Sequence, residues 1–332
     1  MAVTVTTPSP ETAPVEPRER VIETVRLSKS YRAGFRMKKV LALVDLNLEI
    51  RRGEIFGFLG PNGAGKTTTI KILMGLAQPD SGSAVLFGRP PRDNRAKAKV
   101  GFLPESPYFY EYLTAAEFLE LAAQLSGVPR AEIPKRVKEM LRLVRMEHAA
   151  NAQMKGFSRG MLQRIGIAQA LIHDPELVVL DEPMGGLDPI GRKEFRDIIV
   201  GLRERHKTVF FSTHILSDVE MICDRVGIII SGKLVKVGQM TEILSGDIEA
   251  IEVTVRGATG KFRKALMRVA QQFIESGDLL LLTVRTEEEV DRIAAIVHEA
   301  GARIQALVPR RKTLEDFFMA QVLGAREGVP GD

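Results

Sequence analysis

One stretch of eight residues constrains the fold of this chain more than any other. Residues 60–67 read Gly-Pro-Asn-Gly-Ala-Gly-Lys-Thr, after the apolar run Ile55 to Leu59 and before a helical pattern that begins at Thr67. Glycines let a backbone curl so that its N–H groups point inward, and the N-terminal end of the following helix adds positive potential. The order of strand, glycine-rich loop and helix predicts a loop that cradles phosphate groups.

Two side chains at the end of this loop indicate which phosphates it binds. We expect Lys66 to reach the β- and γ-phosphates of a nucleoside triphosphate and Thr67 to ligate Mg²⁺. A glycine-rich strand–helix turn with a chance lysine is the alternative, but the apolar strand before the loop and the helix after it favour the phosphate site. The pattern does not say what the energy of the nucleotide is used for.

Further apolar runs predict an α/β fold built on a parallel sheet. Leu177 to Leu180, Val209 to Phe211 and Val226 to Ile230 are short and wholly apolar, as strands buried on both faces are. Amphipathic helical patterns separate the strands, one of them from Thr67 to Ala77. The first two of these runs, like Ile55 to Leu59, end in polar or glycine-rich residues, which is where ligands bind in such sheets.

An acidic pair, Asp181 and Glu182, follows directly after one of these strands. Adjacent residues at a strand end point in different directions. We therefore assign Asp181 to Mg²⁺, through its water shell, and Glu182 to polarising an attacking water molecule. A solvated acidic strand end would be the preferred interpretation of this pair alone, but the phosphate loop in the same chain favours catalysis.

Three further features remain open on their own evidence. His214 ends a strand where a γ-phosphate is expected, and it is either a phosphate ligand or a structural histidine. Ser158 and Gly160 leave backbone donors open at a helix start, or Ser158 is an ordinary helix cap. Asp188 lies in a Gly-Leu-Asp sequence that reads most simply as a turn.

The chain has three predicted parts beyond the strands already described. Residues 1–20 resemble a disordered lead, and residues about 106–173 read as a helical subdomain inserted in the α/β domain of residues 21–245. Thr114 and Glu117 have the spacing of a capping box within this insertion.

A small α/β domain of residues 249–320, possibly regulatory, is expected to follow a boundary near Ser245 to Asp247. Its predicted elements, in chain order, are a strand from Ile251 to Val255, a helix with Phe262, Leu266, Val269 and Phe273 on one face, a strand from Leu279 to Val284, a helix from Val290 to Val297, a strand from Ile304 to Val308 and a short helix after Thr313.

Composition excludes several classes of protein. The net charge is 47 − 42 = +5 over 332 residues, without a block of like charges, so nucleic acid is not an expected partner. The single cysteine, Cys223, permits no internal disulfide and is expected to be a small buried residue. No apolar run approaches the ~20 residues of a membrane span, and we expect a chain that neither crosses a membrane nor is secreted.

Taken together, these motifs resemble the ATPase domains of ATP-binding-cassette (ABC) proteins. The order of phosphate loop, helical insertion, serine–glycine helix start, acidic strand end, Gly-Leu-Asp and histidine matches that family over about residues 21–245. The resemblance implies the P-loop NTPase fold of an ABC ATPase core with an inserted helical subdomain. It implies ATP and Mg²⁺ as cofactors.

The resemblance also implies roles for particular residues. Tyr31 matches the aromatic residue that stacks on adenine, Asp181 and Glu182 match the Walker B aspartate and the catalytic glutamate, and His214 matches the switch histidine. Ser158 to Met161 match the signature motif and Asp188 the D-loop aspartate. The Walker A loop comprises Gly60, Pro61, Asn62, Gly63, Ala64, Gly65, Lys66, Thr67 and Thr68.

Two departures from the family pattern indicate a branch. Glu105 stands where the family usually has a glutamine, and its carboxylate would approach Mg²⁺ or pass motion to a membrane partner. Arg159 and Met161 stand where the signature usually has a glycine and a glutamine. These departures, and the ending from Thr313 to Phe318, resemble the ABC-2-type exporters of drugs, lipids or polysaccharides.

The resemblance implies a mode of action as well. The signature and the phosphate loop of one domain lie too far apart to hold one nucleotide, so two cassettes bind ATP between them, as a homodimer or with a paralogue. The expected function is an ATPase that powers a separate membrane-spanning permease from the inner face of the cell membrane. The alternatives are a non-transport ABC ATPase acting on DNA or the ribosome, and a regulatory module that binds ATP without turnover.

Overall fold

The computed structural model describes residues 19–33, 38–244 and 248–311, together with Phe318. It divides into two compact units, Met1–Val237 and Gly238–Asp332. The strands that begin in the first unit are β1 (Arg20–Ala33), β2 (Lys38–Arg51), β3 (Ile55–Leu59), β4 (Ser81–Leu86), β5 (Val100–Leu103), β6 (Leu177–Leu180), β7 (Thr208–Thr213), β8 (Arg225–Ile230) and β9 (Lys233–Gln239). Its helices are α1 (Lys66–Leu73), α2 (Asn94–Lys97), α3 (Ala115–Leu125), α4 (Ile133–Leu143), α5 (Arg159–Leu171), α6 (Pro189–Glu204) and α7 (Leu216–Ile222), with 3₁₀ turns at Glu147–Ala149 and Met154–Gly156.

A six-stranded sheet in the order β5-β6-β7-β3-β8-β9 forms the centre of this unit. Strands β5, β6, β7, β3 and β8 pair in parallel. Every residue of β3, β6 and β7 is buried, which explains why these strands are continuous apolar runs in the sequence. The predicted parallel sheet is therefore confirmed, and the carboxyl ends of β3, β6 and β7 lie side by side.

A second sheet, in the antiparallel order β2-β1-β4, was not predicted. Its two long strands depart from strict alternation, because the β1–β2 register shifts at several points. Arg26 and Asp45 adopt positive φ angles of 45° and 48° within these strands. Such irregularities hide a strand from a search for period-two patterns.

The chain between β5 and β6 folds into α3, α4 and α5, as predicted for the helical insertion. The capping box at the start of α3 is present, with the Thr114 side chain bound to the Glu117 backbone and the Glu117 carboxylate bound to Thr114. Helix α1 is shorter than predicted. It ends at Leu73 rather than continuing to Ala77, because Gly75 turns into the left-handed region with φ 69°.

The second unit contains α8 (Met240–Leu244), β10 (Ile248–Arg256), α9 (Gly260–Val269), β11 (Gln272–Ser276), β12 (Leu279–Val284), α10 (Glu287–Glu299) and β13 (Arg303–Arg311). Its four strands form an antiparallel sheet in the order β11-β12-β10-β13. The core of this unit is aliphatic, and its buried residues are Ile251, Val253, Val255, Ala258, Leu266, Leu280, Leu282, Val284, Ile293 and Val297.

One prediction in the second unit is wrong. Phe273 continues the helical spacing of Phe262, Leu266 and Val269, but α9 ends at Val269, and Phe273 lies in β11 opposite Leu282 of β12. Pairing with β12 outweighs the local helical pattern there. The short helix predicted after Thr313 lies outside the described residues apart from Phe318. Among the residues that are described, no helix is long and apolar enough to span a membrane.

Candidate active site

The glycine-rich loop connects β3 to α1 and is held in place by backbone hydrogen bonds. The Gly60 amide donates to the Thr213 carbonyl of β7 at 3.1 Å, and the Gly232 amide donates to the Ala64 carbonyl at 2.9 Å. A Cβ on Gly60 would lie 2.4 Å from the Ile229 carbonyl oxygen, so only glycine fits there. The loop therefore curls tightly against the carboxyl edge of the sheet.

Gly65 is the cap of α1 and adopts φ 110°, in the left-handed region. A Cβ at this position would lie 2.5 Å from the carbonyl oxygen of Ala42 in β2. The absence of a side chain thus leaves the backbone amides at the start of α1 open, and these are the donors that bind phosphate at a helix N-terminus.

The Lys66 side chain is buried inside the loop. Its Nζ donates to the carbonyl oxygens of Gly60 at 2.6 Å and Pro61 at 3.1 Å, and it forms an ion pair with Glu182 Oε1 at 3.0 Å. A buried ammonium requires such partners, because burial without them is costly. The structure therefore brings the predicted lysine and the predicted catalytic glutamate into direct contact.

Asp181 lies at the carboxyl end of β6 and is almost fully buried. Its Oδ1 accepts hydrogen bonds from Ser212 Oγ at 2.6 Å and from Thr67 Oγ1 at 3.3 Å. Burial raises the pKa of the Asp181 carboxyl, and the hydrogen bonds from Ser212 and Thr67 oppose that shift. A threonine hydroxyl beside a buried carboxylate is an oxygen pair of the kind that Mg²⁺ prefers.

Glu182 has an unusual backbone for a residue with a side chain. Its φ is 47°, in the left-handed region. Its amide donates to Ser212 Oγ at 2.9 Å, and His214 Nδ1 lies 2.9 Å from Oε2 of its carboxylate. Glu182 is about nine-tenths buried, whereas His214 is half exposed. The acidic side chain is thus held between Lys66 and His214.

The signature residues lie at the start of α5. Ser158 caps this helix and accepts a hydrogen bond from the Met161 amide at 3.3 Å. Helix α5 contacts the acidic segment through Gln163, whose Nε2 donates to the Pro183 carbonyl at 2.8 Å. A Cβ on Gly160 would meet only the side chains of Leu187, at 3.8 Å, and Ser158, at 3.9 Å. Within the described residues, no hydrogen bond joins Ser158 or Gly160 to the phosphate loop of the same chain.

Asp188 acts as the cap of α6, where its Oδ1 accepts a hydrogen bond from the Gly191 amide at 2.7 Å. This contact gives Asp188 a structural role as a helix cap, and not the turn that its sequence suggested.

Tyr31 and Glu105 lie at the borders of the site. Tyr31 is exposed and pairs with Val40 on β2, two residues from Ala42, which packs against Gly65. Glu105 is exposed just beyond β5. In the part of the chain that the structure describes, Glu105 has no hydrogen bond or ion pair with Thr67 or Asp181.

Sequence reasoning missed two residues that organise the site, Ser212 and Gln163. Ser212 stands two residues before His214 at the end of a predicted strand, so its place beside Asp181 follows from the parallel sheet. Gln163 gave no signal beyond lying on the helix that follows the signature. Cys223, in contrast, is partly buried, and burial raises the pKa of its thiol well above the ordinary value. Such a thiol is not a nucleophile.

Comparison with known proteins agrees with this geometry. The family model described as ABC transporter matches residues 43–185. Bacitracin transport ATP-binding protein BcrA of Bacillus licheniformis is 44% identical over 317 residues, which cover 93% of this chain and 99% of that protein. Nod factor export ATP-binding protein I of Cupriavidus pinatubonensis is 33% identical over 313 residues, which cover 93% of each chain.

Solved structures support the same assignment. A bacterial ABC transporter cassette solved as a dimer is 27% identical, has a TM-score of 0.60, and covers 66% of this chain and 98% of the cassette. ABC ATP-binding subunits dimerise as cassettes and work with separate permeases. With 44% identity to a relative matched over nearly its whole length, this chain belongs to the ATP-binding proteins of ABC transporters, as an ATPase subunit that powers a separate membrane-spanning permease.

Proposed function

We propose that this chain hydrolyses Mg²⁺-ATP as a dimer of cassettes and thereby drives an ABC-2-type exporter from the inner face of the membrane. The observation that carries the proposal is one contiguous cluster at the carboxyl edge of the sheet. There Lys66 contacts Glu182, Glu182 contacts His214, and Asp181 contacts Thr67. This cluster joins a phosphate-binding lysine to a general base and to a pair of metal-binding oxygens.

The loop residues fit a triphosphate. A Cβ at position 60 or 65 would meet neighbouring backbone, so glycine at both positions lets the loop curl tightly and would bring the amides at the start of α1 close to phosphate oxygens. Lys66 supplies the positive charge, and it would exchange the carbonyl oxygens of Gly60 and Pro61 for phosphate oxygens. Tyr31 is exposed beside this loop, as a residue that stacks on adenine has to be.

The residues also fit a magnesium ion. Thr67 and Asp181 offer a hydroxyl and a carboxylate in hydrogen-bond contact. No cluster of three or more His, Cys, Asp or Glu ligands occurs among the described residues. The pair of Thr67 and Asp181 suits Mg²⁺, which proteins bind through one or two groups together with waters and substrate phosphates. Bound there, the ion would neutralise charge that develops on the phosphate oxygens. We place Glu105, which the structure leaves exposed and apart, outside this first set of ligands.

Glu182 is the residue that we assign to water activation. Its carboxylate is mostly buried and lies between Lys66 and His214, so it is oriented on both sides. It would hold the attacking water and accept its proton. His214, at 2.9 Å, orients the glutamate and places a second donor where the terminal phosphate is expected.

The separation of Ser158 and Gly160 from the phosphate loop supports a dimer. In a head-to-tail pair, the start of α5 in one cassette would face the nucleotide held by the loop of the other. The serine hydroxyl and open helix amides there suit a γ-phosphate. Asp188, at the start of α6, would lie at the same junction. The solved cassette that resembles this chain is a dimer, which supports the pairing of two cassettes.

Export is supported by the names of two relatives. One is a bacitracin transport protein and the other a Nod factor export protein, and both match this chain over more than nine-tenths of its length. The residues Glu105, Arg159 and Met161 that depart from the usual family pattern are consistent with that branch. The second domain, residues 249–320, would regulate or stabilise the dimer.

Gel filtration with nucleotide tests the proposal. We expect Glu182→Gln to bind Mg²⁺-ATP without hydrolysing it and to elute as a dimer, because the bound nucleotide joins the two cassettes. Lys66→Ala is the matched control, and it should remain monomeric because it lacks the phosphate-binding ammonium. A Glu182→Gln protein that stays monomeric in saturating ATP would count against the dimer. Co-purification with a membrane-spanning partner tests the transport step separately.

A further inference from the structure

The acidic pair is organised by a single hydroxyl group that no motif includes. Ser212 lies in β7, which runs parallel to β6 with Leu180 opposite Phe211. Asp181 and Ser212, the residues that follow these two, are therefore neighbours. Ser212 is completely buried. Its position is therefore fixed by the sheet and not by a mobile loop.

The Ser212 hydroxyl makes two hydrogen bonds with different partners. It donates to Asp181 Oδ1 at 2.6 Å, and it accepts from the Glu182 amide at 2.9 Å. One oxygen atom thus binds the side chain of Asp181, which we assign to Mg²⁺, and the backbone of Glu182, which we assign to water activation. A hydroxyl suits this place because it is both donor and acceptor.

The two bonds have different consequences. The hydrogen bond from Ser212 occupies Oδ1 of Asp181, and this oxygen also accepts the weaker bond from Thr67 at 3.3 Å. Its other oxygen, Oδ2, has no hydrogen bond within the described residues and is left for the metal's water shell. The second bond holds the Glu182 amide in a left-handed conformation, φ 47°, that few residues with side chains adopt.

We propose that Ser212 is a positioning residue for ATP hydrolysis, which sets the orientation of Asp181 toward Mg²⁺ and the placement of Glu182 toward water. The inference rests on the proposed function of this site. Ser212 touches neither substrate nor metal in this role, and it acts through the two carboxylate residues that it binds.

Removing the hydroxyl should uncouple metal use from nucleotide binding. We expect Ser212→Ala to lower kcat by about 10- to 100-fold, because small displacements of a catalytic group carry costs of that order. The Mg²⁺ concentration for half-maximal rate should rise several-fold. The KM for ATP should change by less than about threefold, since Lys66 and the loop amides do not contact Ser212.

A matched control lies on the same strand. Thr208 is also fully buried, and its hydroxyl accepts a hydrogen bond from the Gly53 amide at 2.9 Å at the other end of β7. Thr208→Val removes that buried hydroxyl far from the acidic pair. We expect it to lower thermal stability as Ser212→Ala does, while kcat and the Mg²⁺ dependence stay at wild-type values.

The measurement is steady-state hydrolysis by the purified full-length chain, over series of ATP and Mg²⁺ concentrations. A Ser212→Ala protein with wild-type kcat and Mg²⁺ dependence, or with losses equal to those of Thr208→Val, would overturn the inference. Ser212→Cys, which keeps a similar volume but donates weakly, provides a second variant and should be intermediate. A wild-type chain without any hydrolysis would instead contradict the proposed function itself.

Discussion

The central sheet of the first unit and the sheet of the second unit treat charge in opposite ways. At the carboxyl edge of the central sheet, Lys66 and Asp181 are at most 5% exposed, and Glu182 is about 10% exposed at the side chain. In the second unit, every charged side chain that the structure describes is at least partly exposed, and the core is aliphatic. Buried charge is costly, so its concentration at the carboxyl edge of the central sheet supports our assignment of the active site there.

The pairing within the buried cluster explains how the first sheet tolerates this charge. Lys66 lies against two carbonyl oxygens and one carboxylate, and Asp181 accepts two hydroxyl hydrogen bonds. Each buried charge is thus paired within the chain, and a bound triphosphate would take the place of the two carbonyl oxygens beside Lys66. The sheet of the second unit contains no such arrangement among its described residues, and we expect it to contribute nothing directly to hydrolysis.

The largest expected effect follows from removing a carboxylate in each sheet. Glu182→Gln should lower kcat by at least about 100-fold, because a general base contributes factors of 10²–10⁴. Glu252→Gln, which removes a half-buried carboxylate paired with Arg310 in the second unit, should leave kcat within about twofold. Steady-state ATP hydrolysis measures both. Equal losses in the two variants would contradict the division of roles between the sheets.

Much of the first unit was predictable because its strands are buried on both faces. Leu177 to Leu180 form an unbroken apolar run, and the loop at residues 60–67 has a pattern with few other uses. These residues interact mostly with sequence neighbours or with a sheet whose order the fold class implies. Lys66, Asp181 and Glu182 therefore lie together at the carboxyl edge of that sheet.

What the sequence did not reveal depends on partners distant in the chain. Phe273 fits a helix locally, but its place in β11 is decided by Leu282 across the sheet. Ser212 is an ordinary serine until β6 places Asp181 beside it. Strands β1 and β2 pair with several shifts in register, so their apolar and polar residues do not alternate regularly along the sequence.

The next effect compares two glycines with positive φ. Gly65 in the phosphate loop has φ 110° and a carbonyl oxygen 2.5 Å from where a Cβ would lie, whereas Gly257 in the second unit has φ 82° and no atom within 4 Å. Gly65→Ala should therefore weaken ATP binding by about tenfold or more, since backbone and loop have to shift. Gly257→Ala carries only the conformational cost of about 1–2 kcal/mol.

Calorimetric titration with ATP, together with thermal unfolding, distinguishes these two outcomes. Gly257→Ala should lower the unfolding temperature without changing the affinity for ATP. If Gly65→Ala binds ATP as the wild type does, the loop does not need the space that the structure assigns to it.

The smallest effect concerns an exposed carboxylate in each unit. Hydrogen bonds from Ser30 and Lys29 lower the pKa of Asp80 from 3.8 to about 2, and a hydrogen bond from Arg256 lowers the pKa of Asp278. A lowered carboxyl pKa stabilises the fold above the unfolded-state pKa, and that contribution is lost as the pH falls through the folded-state pKa. We expect Asp80→Asn to reduce stability at neutral pH and to approach wild type as the pH falls from about 4 to 2.

Urea unfolding at several pH values measures this difference, with Asp278→Asn as the counterpart in the second unit. The Asp278→Asn effect should be smaller, because a single exposed ion pair contributes little. An Asp80→Asn deficit that persists unchanged at pH 2 would show that the carboxylate's charge is not its source.

Hydrogen–deuterium exchange with and without Mg²⁺-ATP tests the central claim most directly. If the first unit holds the triphosphate, the amides of residues 62–68 become protected when Mg²⁺-ATP is added to Glu182→Gln, and more strongly than any amide of residues 248–311. Unchanged exchange in residues 62–68 at saturating nucleotide would contradict the account.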